Sequence, residues 1–140
     1  MNLQTALALE PNYRLAFFAA VFAPSESYMF SANQFFAYCK QKITLKAQRK
    51  FNDDISSFFT DYPVGDYWIN RFSTPSVFFR CCQSITESEI STLERFHNAS
   101  GLHHTGKNNI YQHYWNFIRG IKAHFKGQEV STDDLREIFD

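Results

Sequence analysis

Phenylalanine fills 16 of the 140 positions of this chain, and aromatic residues together make up 18%. Rings of that size leave water only by packing on one another, so a chain carrying this many must close around a large interior. Hydrophobic residues reach 44% and charged residues 20%. That balance excludes a disordered tail, a collagen-like repeat and a low-complexity linker. No apolar run approaches the roughly 18 residues of a membrane span. The length suits one folding unit, and residues 1–140 are read as a single helical domain.

How the apolar residues recur sets the class. Residues 3–9 suit a short helix, and Pro11 suits the first turn of the next, where its missing N–H costs nothing. That second helix, about 12–23, is apolar nearly all round, as a helix through a core is, and Pro24 stops it. Ser31-Ala-Asn-Gln34 has the capping-box pattern and predicts one long helix over about 32–60. At 100° per residue Phe36, Ile43, Ala47, Phe51, Ile55 and Phe58 share an arc, with Asn52-Asp53-Asp54 marking a kink or break. Pro63-Val-Gly65 reads as a turn. The aromatic and β-branched stretches after it, closed by Thr74-Pro75-Ser76, fit either a small β-hairpin near 66–82 or two short helices in an irregular segment.

Thr86-Glu-Ser-Glu89 is a further capping box, opening a helix to Phe96 or His97. From Asn109 a strong helix runs to Phe125, with Ile110, Tyr114, Phe117, Ile118, Ile121 and Phe125 on its buried arc. Ser131-Thr-Asp-Asp134 caps a short last helix. The expected fold is mainly α, with five or six helices.

Three cysteines, Cys39, Cys81 and Cys82, make a poor disulfide framework, and they read as buried thiols acting as small hydrophobes in a reducing compartment. The apolar run after Arg14 resembles a signal-peptide core, but Glu10 cancels the charge before it, and the segment reads as a buried helix. A cytoplasmic location is the expectation.

The net charge is zero, with 14 bases and 14 acids, yet the signs are segregated. Residues 27–52 hold no acid and carry Lys40, Lys42, Lys46, Arg49 and Lys50. Residues 95–127 hold no acid either and carry Arg95, Lys107, Arg119, Lys122 and Lys126, together with all five histidines. All the acids lie elsewhere. If the two blocks meet, their outward stripes form one positive face that attracts polyanions and releases counterions from them. Trp115 falls on the side of Lys122 and Lys126, where an exposed ring stacks on a base. The opposing reading is a solvated face, or one covered by the acids of other segments. The favoured function is non-enzymatic binding, as an inhibitor, adaptor or accessory subunit, of nucleic acid, a nucleoprotein or an acidic protein surface through the face bearing Lys42, Lys46, Arg49 and Lys50.

Two rival sites stand beside it. Arg119-Gly-Ile-Lys-Ala-His124 resembles the R-x4-H spacing of HEPN-type ribonucleases. The resemblance implies a metal-independent ribonuclease in which Arg119 steadies phosphate charge and His124 handles a proton. Gly120 stands where that family has a polar residue, and a helical wheel separates the two side chains by about 140°. The second rival is the segment Tyr67, Trp68 and Arg71, whose residue types dominate protein–protein hot spots, with a homodimer left open. His103-His104 lacks a carboxylate or Cys nearby to complete a metal shell, and no phosphate loop or hydrolase signature is present. No metal or cofactor is expected.

Overall fold

A computed structural model of the chain describes residues 1–22, 28–40, 43–61, 75–99 and 110–125. These form seven helices: α1 (Leu3–Leu7), α2 (Pro11–Val21), α3 (Tyr28–Tyr38), α4 (Leu45–Asp61), α5 (Pro75–Ser84), α6 (Glu87–Ala99) and α7 (Ile110–Phe125). No strand occurs among the described residues. The mainly α class is therefore as the periodicity predicts. Val77–Cys82, open between strand and helix in the sequence, lies inside α5, and residues 66–74 lie outside the described residues. The expected helix after Ser131 also lies outside them. No described helix is long and apolar enough to cross a membrane. Contacts gather the chain into two units, Met1–Phe78 and Phe79–Asp140.

In the first unit, Asn2 caps α1 by accepting from the Thr5 N–H at 2.8 Å. Pro11 sits at the start of α2, as expected of a residue that lacks the N–H a helix start leaves unused. Ala16 to Phe22 are all buried, which explains the absence of a polar stripe on α2. The core here is a lattice of rings. Phe17 meets Phe58 edge-on at 5.0 Å, Phe36 meets Phe51 at 5.3 Å, and Tyr13 lies 5.8 Å from Phe36 and 5.6 Å from Phe51. Phe22 meets Phe78 at 5.5 Å.

The single long helix predicted over 32–60 is two helices. Lys40 adopts a φ of 53°, the left-handed region that ends a helix, and its N–H reaches back to the Ala37 carbonyl at 3.1 Å. Thr44 then starts α4 afresh, its hydroxyl accepting from the Ala47 N–H at 3.1 Å. Ser31 does not cap α3: it is buried within the helix, which begins at Tyr28. Asn52-Asp53-Asp54 does not break α4, which runs unbroken to Asp61. The shared arc survives the correction, because Phe36 on α3 and Phe51 on α4 still face each other.

In the second unit, Thr86 and Glu89 form the reciprocal capping box. The Thr86 N–H donates to Glu89 Oε1 at 2.9 Å, and the Glu89 N–H donates to Thr86 Oγ1 at 3.1 Å. Cys81, Cys82, Ile85, Ile90, Leu93, Phe96, Trp115, Ile118 and Ile121 are buried. Burial, reinforced by adjacent Cys81 and opposed by Lys122, pushes the Cys82 thiol well above its usual range, so it stays a protonated, inert hydrophobe. Cys39 departs from the expectation of three buried thiols: it is exposed in the turn after α3, since the helix break carries it out of the core.

Candidate polyanion-binding face

α4 sorts its residues by face. Phe51, Ile55, Phe58 and Phe59 are buried, Lys46 and Arg49 project from the opposite side, Lys50 stands at the edge of the apolar face, and all three cations are exposed. Lys40, in the turn that precedes α4, is exposed as well. Lys42 lies outside the described residues. None of Lys40, Lys46, Arg49 and Lys50 makes an ion pair among the described residues. The reason is in the neighbours. α3 contributes no acid, and the acids of α4 follow its bases: Asp53 stands four residues after Arg49, and Asp54 four after Lys50. That order is the weaker orientation for a helical pair.

The position of one of these cations, Lys46, works against the helix itself. Lys46 is the second residue of α4, and the first turn holds no acid. A helix N-terminus carries about half a positive charge, and a cation there costs about 0.3–1 kcal/mol instead of contributing it. Helix dipole and side chains therefore add to one positive field at this end.

The second basic block is arranged differently. Arg119 of α7 donates through Nε to both carboxylate oxygens of Glu87 on α6, at 2.9 and 3.1 Å, and through Nη2 to Glu94 of the same helix. Its side chain is 28% exposed and that of Glu94 16%. The hydrogen bond from Arg119 holds the Glu87 carboxyl below its usual range, and the same contact raises Arg119. Lys122 donates to the Gln83 carbonyl at 2.9 Å. Lys126 lies outside the described residues, as do Tyr67, Trp68 and Arg71.

Trp115 is not the exposed stacking ring expected from the wheel. It is fully buried, and its Nε1–H donates to Nδ1 of buried His97 at 3.1 Å, with the two rings stacked 5.7 Å apart. The buried arc of α7 is thus turned toward Trp115 because that ring removes more apolar surface from water than any neighbour, and its one polar atom finds an acceptor. Of the R-x4-H pair, Arg119 is held by two carboxylates of its own unit, and His124 is exposed on the same helix. Glu87 and Glu94, seven residues apart on one face of α6, are the partners that sequence reasoning missed. Their spacing was the available signal.

Among the described residues no group of three or more His, Cys, Asp or Glu side chains comes together as a metal site requires. The chain matches no protein-family model, and no curated protein or solved structure shows significant similarity to it.

Proposed function

We propose that this chain is a non-enzymatic binding protein that engages a polyanionic partner through the cationic face of α4. Lys40, Lys46, Arg49 and Lys50 form the contact. The observation that carries the reading is a set of exposed cations that make no ion pair among the described residues, one of which, Lys46, stands in the positive first turn of α4. A sequence that breaks a local stability rule without a compensating contact does so most often where it functions. A face kept only for solubility needs no such arrangement, since the same cations at the other end of α4 keep the chain as soluble and stabilise it.

The test is titration of the full chain with a labelled single-stranded oligonucleotide at rising salt. Each phosphate contact contributes a slope of about 0.7 in log affinity against log salt, so three cations give roughly 2. The triple variant Lys46→Glu, Arg49→Glu, Lys50→Glu is expected to remove that slope and most of the affinity. Salt-dependent binding to polyglutamate alone, with the same variant sensitivity, assigns the face to an acidic protein. No salt-dependent binding to either polymer overturns the reading and leaves a solvated surface.

A further inference from the structure

Beside the cationic stripe lies a groove of about 290 Å³ within the first unit. One wall is Leu9, Glu10 and Tyr13, where α1 passes into α2; the other is Lys50, Phe51 and Asp54, on successive turns of α4. Tyr13 is half-buried, its ring tilted 43° against that of Phe51. That volume sits at the bottom of the range for small-molecule sites, so the occupant is about one ring system in size.

The charges in the groove are unlike those of the stripe. Glu10 stands at the N-cap of α2 yet makes no capping bond. Asp54 is half-buried, and neither carboxylate has a hydrogen bond or ion pair among the described residues. Ionised carboxylates only accept, so the groove calls for a flat group with N–H donors at its edge. Two carboxylates against one lysine also repel a phosphate from the groove itself. Lys50 belongs to both places: it lines the groove and, with Lys46 and Arg49, stands on the exposed stripe.

We infer that the groove holds one base of a single-stranded nucleic acid whose phosphates run along Lys46, Arg49 and Lys50. The ring lies against Tyr13, and its N–H groups donate to Glu10 and Asp54. Guanine fits best, since it presents adjacent ring N–H and amino donors that a carboxylate accepts together. Adenine and cytosine offer an amino group only. Uracil presents two carbonyls, which the carboxylates repel. A basic peptide side chain would satisfy the carboxylates too, but the neighbouring cations repel the rest of such a peptide. This inference rests on the polyanion reading and specifies its ligand.

Fluorescence anisotropy on the full chain tests it, with labelled eight-nucleotide oligouridylate and the same strand carrying one central guanosine. The guanosine strand is expected to bind about tenfold tighter or more, in the range a good two-bond base contact gives. Asp54→Asn and Glu10→Gln, both near-isosteric and at the surface, are expected to bring the two strands within about twofold of each other. They should leave the oligouridylate affinity intact or raised, and the salt slope unchanged. Equal affinity for both strands with a normal salt slope overturns the base site and leaves the polyanion reading standing. No salt-dependent binding to either strand overturns both. Tighter binding to a glutamate-rich peptide carrying one arginine, lost in Asp54→Asn, overturns the base site in favour of a protein partner.

Discussion

The two acid-free, base-rich stretches of this chain, residues 27–52 and 95–127, reach into α4 and α7, and the two helices treat their cations in opposite ways. On α7, Arg119 is held by Glu87 and Glu94, and Lys122 is tied to a backbone carbonyl. On α4, Lys46, Arg49 and Lys50 are exposed and make no ion pair among the described residues. The difference originates in the packing partner. α6 opens on Glu87 and Glu89, which suit its own dipole, and the first of these also reaches across to Arg119. Among the described residues α3 meets α4 through aromatic and amide contacts, such as Gln48 to Asn33 at 3.3 Å. A run of bases in sequence is therefore a charge without a destination until the neighbouring element is known.

The sharpest way to break this comparison is through Trp115. Trp115→Ala empties a fully buried site and removes the donor to His97, and it is expected to cost about 3–5 kcal/mol in urea denaturation. The protein that stays folded should keep its polyanion affinity, because the ring is structural. Arg119→Ala comes next. It strands the half-buried Glu94 carboxylate, a loss of about 1–2 kcal/mol by the same measurement, again with binding unchanged. Its pH dependence sharpens the point. The Glu87 carboxyl is held low, so its share of stability is present above its ordinary value of 4.5 and is lost as pH falls through the depressed folded value. That acid-side loss should flatten in Arg119→Ala. The smallest effect has the opposite sign: Lys46→Glu places an acid at the start of α4 and is expected to add about 0.3–1 kcal/mol while weakening polyanion binding. Stability rising as affinity falls is the behaviour of a functional cation, and Arg119→Ala cannot show it.

Much of the helical plan was legible because its signals are local. Pro11 and the Thr86–Glu89 box each follow from a few adjacent residues. The break between α3 and α4 was not, because it rests on Lys40 in a conformation that sequence rules assign to glycine, followed by a hydroxyl cap at Thr44. Trp115 misled for a related reason. A wheel drawn from one helix cannot see that His97, on another, supplies the acceptor that lets an indole be buried. The cationic side of α4 could be read from periodicity alone, whereas the neutralisation of Arg119 required knowing that α6 packs on α7.

Lys40 bears a tension of its own. A side chain at a φ of 53° is held in backbone geometry that costs an ordinary residue on the order of 1 kcal/mol, and glycine there would relax it. Glycine would also delete a charge at the corner where the chain turns from α3 toward α4. Lys40→Gly is therefore expected to stabilise the chain while removing one cation, so that this single position sets ease of folding against charge.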